Sequence, residues 1–495
     1  MAILYDTEAS LRERAAKCIE DDFKHQAIET AQETFYQKRK ALVEEEPDWQ
    51  GLRTTAMDIR DHVAKNLDYY VKQFAENASD HGVHVHFAST GNQALWEALD
   101  IFENHGAFKA VKSKSMMTEE IGLNHVLEEA SVNVIETDCA ENILQTACDM
   151  PSHIVVPALH HTRDDIAELY RKRCGYEGDN VPEHITHFLR EMLRPEFLSA
   201  QVGIRGCNFA VAETGSVTLV TNEGNGRMVD TFPPVQIVFV GIDRIVPTLE
   251  SLDIFMALLP KSAVGSKMTA YFSVDTGARR EDELDGPAEV HYIIMDNGRH
   301  ELLNSEFEPM MRCIRCGACL NICPVYRHIS GHGYGSIYPG PMGIVLTPEL
   351  VGYGEANAKA MTFACTLCGA CTEHCPVKIP IHDLVREHRI NIVDTGKNNK
   401  VEVPIFKAMQ VMWSSSPLYM ALMRLGRPVM NILTRGGSSL DERSAWIPVL
   451  GSWTSSRDFD VIAPYRFRTW LAEHNAARAE ERKAEHDDKD QKGGA

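Results

Sequence analysis

Two short stretches of the chain place eight cysteines at matching spacing. CIRCGACLNICP begins at Cys313 and CTLCGACTEHCP begins at Cys365, and both follow the pattern C-x2-C-x2-C-x3-C-P. Three thiolates at two-residue gaps lie on one tight loop, where they can bind three corners of one cubane iron–sulfur cluster, and in two-cluster ferredoxins the fourth thiolate binds the other cluster. This rule predicts two ligand sets: Cys313, Cys316, Cys319 and Cys375 for the first cluster, and Cys365, Cys368, Cys371 and Cys323 for the second.

Zinc is the alternative occupant of such cysteines. Zinc sites usually pair two C-x2-C segments, with four ligands for each ion, and need neither a third cysteine in the loop nor a trailing Cys-Pro. Two complete copies of the longer pattern therefore favour two [4Fe–4S] clusters, whose usual chemistry is one-electron transfer. A purely structural role for the clusters is the less favoured interpretation.

The elements that position these motifs fall into five predicted segments. Residues 1–82 are a helical lead-in that packs on the next domain, and 83–300 are an α/β domain. Residues 301–400 are the two-cluster domain, and its long connection 324–364 with helix-like flanks resembles the α-helical ferredoxin-like modules of succinate dehydrogenase iron–sulfur subunits and heterodisulfide reductase subunits. Residues 401–475 are helical and Trp-rich, with a methionine-rich stretch typical of a core or subunit interface. Residues 476–495 are a charged tail that we expect to be disordered.

Strand-like and helix-like segments alternate in the α/β domain, which predicts a mostly parallel sheet covered by helices. The predicted strands are VHVHFAS from Val83, FKAV from Phe108, VNVIET from Val132, HIVVPA from His153, the β-rich CNFAVAETGSVTLVT from Cys207, and VQIVFVG from Val235. The last two are separated by NEGNGR at 222–227, which predicts a hairpin turn.

Composition excludes several classes of protein. The formal net charge of −20 over 495 residues disfavours a nucleic-acid partner. The N-terminus has no apolar signal segment, and we find no apolar run long enough to span a membrane. Thirteen cysteines in such a chain do not predict a disulfide framework, so we expect a cytoplasmic protein.

Longer stretches give the chain a family resemblance over nearly its full length. VKSKSMMTEEIGLNHVLE (111–128), VIETDCAENILQ (134–145), VAETGSVTLVTNEGNGRM (211–228), GHGYGSIYPGPMGIVLTP (331–348), WIPVLGSWTSSRDF (446–459) and the cysteine module resemble the lactate utilization protein B family. One departure is Cys139, at a position where an apolar residue is expected.

That resemblance implies a fold, partners and a role. The first part would be a LUD domain, similar to the NagB/RpiA/CoA-transferase group. The chain would be the iron–sulfur subunit of a cytoplasmic three-protein system that oxidises L-lactate to pyruvate without nicotinamide. One partner would be a subunit with cysteine-rich CCG domains, which would hold the lactate-oxidising centre, and the other a second LUD protein. A quinone is a candidate final acceptor, which would place the chain peripherally at the inner membrane surface.

The α/β half offers two candidate sites of its own. Lys112, Lys114, Ser115 and Thr118 cluster at a strand-to-helix junction, which fits either a small-ligand pocket or a plain junction in which Thr118 and Glu120 support the first helical turn. Glu213 is the candidate nucleophile of an alternative function, acyl or CoA handling, since CoA-transferases of similar fold use a glutamate. A structural pairing of Glu213 with a lysine is the competing interpretation.

Overall fold

The computed structural model describes residues 3–397, 402–434, 436–440, 454, 457–462 and 467–492. The chain divides into two units, Met1–Lys397 and Asn398–Ala495, which we describe separately. The strands of the first unit are β1 Val83–Ala88, β2 Lys109–Lys112, β3 Asn133–Glu136, β4 Val202–Gly206, β5 Phe209–Val211, β6 Ser216–Thr221, β7 Val235–Gly241, β8 Ile245–Val246, β9 Tyr271–Asp275 and β10 Glu289–Met295.

The helices of this unit fall into three groups along the chain. The lead-in consists of α1 Leu11–Glu20, α2 Asp22–Glu45, α3 Trp49–Lys65 and α4 Leu67–Asp80. The α/β part contains α5 Gly91–Asn104, α6 Met116–Ile121, α7 Leu123–Glu129, α8 Cys139–Ala147, α9 Arg163–Cys174, α10 Pro182–Ser199, α11 Asn225–Thr231 and α12 Leu249–Val264. The cysteine module contains α13 Ala318–Asn321, α14 Pro324–Ile329, α15 Gly340–Val351, α16 Ala356–Met361, α17 Ala370–His374 and α18 Ile381–Asp394.

Six parallel strands form the main sheet, in the order β1-β10-β7-β4-β2-β3. Its central strand β7 is buried along its whole length, as expected for the continuous apolar run VQIVFVG with helices on both faces. A smaller sheet, β8-β5-β6-β9, mixes parallel and antiparallel pairs. The predicted α/β class with a parallel sheet is therefore confirmed, as is the helical cysteine module that follows it.

The lead-in helices contact more than the next domain. Helices α2 and α3 pack on α12 of the α/β part, and also on α13, α14 and the 3-10 helix Glu308–Arg312 beside the first motif. One continuous apolar core contains residues of the lead-in, the small sheet and the cysteine module, including six of the eight motif cysteines. The lead-in thus joins the α/β part to the cysteine module.

Two predicted β features are wrong. HIVVPA forms no strand: the His153 ring accepts the backbone N–H groups of Val155 and Val156 through Nδ1, and Ser152 bonds to Pro157, so the segment turns. NEGNGR is not a hairpin turn, because β6 and β7 lie in different sheets and the segment opens helix α11 between them. The helix predicted after β2 is split at Gly122, whose φ of 69° ends α6.

The second unit contains α19 Glu402–Ser414, α20 Ser416–Leu433, the strand pair β11 Ser439–Leu440 and β12 Phe459–Asp460, and α21 Phe467–Lys492. Helices α19 and α20 pack together, with Met430 buried and Met409, Met412, Met420 and Met423 half-buried. The expected disordered tail from 476 is helical as far as Lys492, in keeping with its Ala, Glu, Arg and Lys content. Most of the Trp-rich stretch lies outside the described residues. No helix of the described part combines the length and apolar character needed to cross a bilayer.

Candidate cluster-binding site

The two motif loops share one backbone conformation. Arg315 and Leu367, each directly before the second cysteine of its motif, both have a φ of 56°. Gly317 and Gly369, directly after that cysteine, have φ values of 75° and 81°. Residues with side chains rarely adopt this left-handed region, so its appearance at matching positions shows that both loops have the same conformation and could enclose a centre of the same shape.

Electrostatic interactions among the buried thiols divide them into two sets. The Cys316 and Cys319 thiols both interact with Cys313 and Cys375, and Cys375 itself interacts with Cys313. The Cys323 and Cys371 thiols both interact with Cys365 and Cys368, and with each other. A further interaction between Cys319 and Cys371 makes the two sets neighbours. Cys323 and Cys375 therefore each lie with the other motif's loop.

The donor chemistry of these sets fits a metal cluster better than a single ion. All eight cysteines are free thiols, and within the described residues no three of their sulfurs lie within 4.8 Å of one another. Four sulfurs on one zinc, each about 2.3 Å from it, would be about 3.8 Å apart. Burial raises the pKa of Cys316 to about 12 and that of Cys375 to about 11. A bound cationic centre is what deprotonates such thiols.

The first set is more deeply enclosed than the second. Cys313, Cys316, Cys319 and Cys375 are all buried, whereas in the other set Cys368 is exposed and Cys365 half-buried. Buried guanidinium groups surround the first set: Arg39 and Arg53 interact with Cys375, and Arg60 and Arg315 with Cys313. Positive charge favours the reduced, more negative state of a cluster, whereas exclusion of water opposes it, so the arginines offset the cost of placing that charge in the enclosed set.

Backbone N–H groups also point at the sulfurs. Tyr326 donates to Cys323 Sγ at 3.5 Å, Leu367 to Cys365 Sγ at 3.3 Å, and Ile379 to Cys375 Sγ at 3.3 Å. Pro324 begins α14 directly after Cys323, which becomes the N-terminal cap of that helix. Such donors stabilise thiolate charge and fix the orientation of the ligand.

A buried ionic network fastens the first loop to the α/β part. Arg299 donates to both oxygens of Glu120, at 2.9 and 2.6 Å, and through Nε to Asp243 at 3.1 Å. Asp243 also accepts Nη2 of Arg315 at 3.3 Å, and Arg315 lies within the first cysteine motif. Tyr338 donates to Glu120 at 2.6 Å and lies under the Arg315 guanidinium.

A cavity of about 240 Å³ lies between this loop and the carboxyl ends of β2, β4 and β6. Its polar lining includes Lys114, Ser115, Asp138, Arg244, Arg315 and the first-set cysteine Cys316. Atom Nη1 of Arg315 is buried and has no hydrogen-bond partner in the described part of the chain. The carboxyl ends of parallel strands are the usual place for a ligand in such sheets.

The candidate residues of the α/β half lie apart. Lys114 and Ser115 line the cavity, but Lys112 is fully buried in ion pairs with Glu119 at 3.0 Å and Glu136 at 2.6 Å. Thr118 does not cap helix α6, because the cap is Ser115, whose side chain accepts the N–H of Thr118. Glu120 does not support the first turn either, because its carboxylate accepts hydrogen bonds from Arg299, Asn297 and Tyr338.

Glu213 is exposed and accepts the N–H of Leu249 at 3.1 Å, at the start of α12. It is therefore paired with a helix N-terminus, and the expected pairing with a lysine is wrong.

Sequence reasoning missed the arginines around the first set and the network through Asp243. Arg39, Arg53 and Arg60 lie on helices α2 and α3, hundreds of positions before the cysteines that they approach. Charged residues are common on exposed helix faces, so the sequence around these arginines gave no signal of a distant contact. Arg315 is the residue whose ion pair could have been expected from the sequence, because a charged residue inside a buried metal-binding loop needs a partner.

Comparisons with known proteins agree with this arrangement. The LUD domain family matches residues 71–295, and the 4Fe-4S dicluster domain family matches residues 309–379. Proteins named lactate utilization protein B, from Bacillus thuringiensis strain Al Hakam and Bacillus cereus strain ATCC 10987, are each 44% identical over 94% of this chain and 98% of their own. A solved DUF162 family protein from Deinococcus radiodurans is 14% identical over 46% of this chain and 98% of its own, with a TM-score of 0.27.

Proposed function

The chain belongs to the lactate utilization protein B family, and from this premise we propose that it is the electron-transfer subunit of a nicotinamide-independent complex that oxidises L-lactate to pyruvate. An iron–sulfur role in lactate utilization follows from its LUD and dicluster domains. The observation that carries the electron-transfer role is the division of eight thiols into two neighbouring sets, with six of the eight cysteines inside one core.

We assign the ligands by these sets. Cys313, Cys316, Cys319 and Cys375 hold the first [4Fe–4S] cluster, and Cys365, Cys368, Cys371 and Cys323 hold the second. Bound clusters supply two adjacent one-electron sites, which suits the two electrons released by one lactate. The protein's own residues enclose the first site with arginines and leave Cys368 of the second at the surface.

The exposed second set defines the end at which electrons are exchanged with a partner. We propose that a CCG-domain subunit, which holds the lactate-oxidising centre, and a second LUD-domain subunit assemble with this chain in the cytoplasm. A quinone at the inner membrane surface is the proposed final acceptor. Eight reduced motif thiols require the reducing compartment that this placement provides.

The test begins with the untagged chain, purified without oxygen together with its partners. We expect about eight irons per chain, four in each cluster, and cluster reduction on addition of L-lactate. Cys375→Ser should remove the signal of the first cluster while the second remains, and Cys148→Ser, at an exposed cysteine outside the motifs, should change neither. Zinc in place of iron, or clusters that lactate does not reduce in the complete complex, would contradict the proposal.

The cavity beside Cys316 favours a second, smaller proposal. We propose that it binds a small organic anion, because Nη1 of Arg315 is buried there without a partner and Lys114 and Ser115 line the same wall. The acyl- or CoA-handling alternative finds no support in this geometry, since Glu213 is outside the cavity and its carboxylate binds the start of α12. Activity of the isolated chain on acyl-CoA that is lost in Glu213→Gln would revive it.

A further inference from the structure

Three histidines converge on one carboxylate where strands β1 and β10 begin. Glu289 has its Oε2 3.1 Å from Nε2 of His105 and its Oε1 3.0 Å from Nε2 of His291. Nε2 of His84 lies 3.7 Å from the same Oε1. His105 follows the end of α5, so three elements contribute to the cluster. None of these residues lines the cavity described above.

The hydrogen bond on the far side of His105 fixes which nitrogen carries its proton. Nδ1 of His105 lies 2.8 Å from the carbonyl oxygen of Ile101. A carbonyl oxygen only accepts, so Nδ1 is the donor and, in the neutral ring, Nε2 presents a lone pair. That lone pair faces the carboxylate of Glu289.

A longer relay determines the position of the proton on His291 when His86 is neutral. Glu97 lies 2.8 Å from Nδ1 of His86, and a carboxylate makes that nitrogen the donor. Nε2 of neutral His86 is then an acceptor, and Nδ1 of His291, 3.0 Å away, donates to it. Nε2 of His291 is left with a lone pair that also faces Glu289.

Two lone pairs aimed at an anion repel each other and the anion unless a cation lies between them. The geometry points to a divalent transition-metal ion, of which Zn²⁺ is the type, bound by His105, His291 and Glu289 with His84 as the fourth ligand. Ligand atoms that share a tetrahedral zinc at about 2.0–2.1 Å are about 3.3 Å apart. Here one ligand atom from each of His105, Glu289 and His291 lies within 4.8 Å of the other two, so a small shift of the side chains would bring them to that spacing.

The surroundings of the rings match those of metal-binding histidines. Such histidines donate their other N–H to a carbonyl or a carboxylate, and here Ile101 serves His105 directly while Glu97 serves His291 through His86. Imidazole with one carboxylate suits zinc, nickel or cobalt better than magnesium or calcium, which prefer oxygen ligands throughout. The competing arrangement is a protonated His105 paired with Glu289. Protonation of His291 as well is disfavoured, because this residue is only 7% exposed and burial disfavours a charged ring.

The test uses the whole chain with its clusters loaded, without oxygen, so that the motif cysteines cannot take up the added metal. Zn²⁺ is titrated by calorimetry, and X-ray absorption identifies the donor atoms. We expect one saturable site per chain with nitrogen and oxygen donors and no sulfur. His105→Ala, at an exposed helix end, should weaken binding at least about tenfold, and Glu97→Gln, which only orients the relay, by about 10–100-fold.

The matched control is His125→Ala, which removes an exposed histidine paired with Glu129 and should bind Zn²⁺ like the unchanged chain. Retained cluster absorbance in each variant shows that it is folded. Lack of a saturable site in the unchanged chain, sulfur donors in the absorption spectrum, or equal affinity in His105→Ala would each overturn the inference. If His105 is protonated with or without added Zn²⁺ and no Zn²⁺ binds, these side chains form a protonated His105–Glu289 pair and not a metal site.

Discussion

Replacing Asp243 with asparagine should destabilise the α/β part and loosen the first cysteine loop together. The carboxylate is 4% exposed and accepts from Arg299 at 3.1 Å and from Arg315 at 3.3 Å, and it also pairs with Arg244. The asparagine would keep the shape of the side chain but leave these buried guanidinium groups with one anion fewer. Because Arg315 belongs to the first motif, weakening its ion pair should also loosen the loop that carries the first three motif cysteines.

The size of the effect follows from burial. Removing one partner of a buried ion pair costs about 3–5 kcal/mol of unfolding free energy. In a domain of the size matched by residues 71–295, this corresponds to a fall in melting temperature of roughly 10 °C. Burial raises the pKa of Asp243, but the charges of Arg244, Arg299 and Arg315 outweigh it and hold that pKa well below the usual range. The stabilisation is therefore present above about pH 4 and is lost as the pH falls further.

The assay follows thermal unfolding of the cluster-loaded chain without oxygen, by circular dichroism for the backbone and by visible absorbance for the clusters. Both transitions should move down in Asp243→Asn. Asp275→Asn is the matched control, since Asp275 pairs with buried Arg205 at 2.8 Å away from the cysteine loops and is itself 35% exposed. It should lower the backbone transition less and leave cluster retention unchanged. A shift below about 2 °C in Asp243→Asn, or clusters held as firmly as before, would refute the reasoning.

Three further changes test other parts of the molecule. Burial and the charges of Glu301 and Glu306 raise the pKa of Glu349 to about 7, so its contribution to stability is present below about pH 4.5 and lost as the pH rises through 7. In denaturant titrations, Glu349→Gln should therefore be more stable than the unchanged chain at pH 8, by up to about 3 kcal/mol. Near pH 4.5 the two should be equally stable. Lys112→Met should lower the free energy of unfolding by about 3–5 kcal/mol, because it leaves the carboxylate of Glu136 buried without its cation. The double variant Lys112→Met with Glu136→Leu should recover most of that loss. A double variant as unstable as the single one would contradict the ion-pair account. Arg53→Gln should lower the reduction potential of the first cluster, on the order of 50 mV in a redox titration, while Arg386→Gln on the exposed face of α18 should leave it unchanged.

The sequence was most informative where chemistry depends on local spacing. The cysteine motifs specify their loops within a dozen residues, and the parallel sheet follows from alternating apolar segments such as VQIVFVG. HIVVPA failed because an apolar run of strand length can also fold into a turn when side chains bind the neighbouring backbone. Here Ser152 and His153 do so, and His153 also contacts Asn321 within the first motif.

Two expectations in the α/β half, those for Lys112 and Glu120, failed for a different reason. Lys112 and Glu120 are polar residues near a helix start, where ligand binding or capping is the local expectation. Their actual partners, Glu136 and Arg299, come from other strands and turns, and their burial depends on tertiary packing. Only the assembled sheet shows that these charges neutralise one another.

Under the proposed ligand assignment, the exchange of Cys323 and Cys375 between the two loops would make each cluster a cross-link of the chain. A link that closes a loop of about 40–50 residues removes about 4 kcal/mol of unfolded-state entropy by loop-closure arithmetic. The segment enclosed between Cys323 and Cys365 contains α15, whose residues Gly340–Pro348 are all buried. Under that assignment, a cell short of iron would hold a chain whose packing around α15 is less stable and whose proposed electron path is missing.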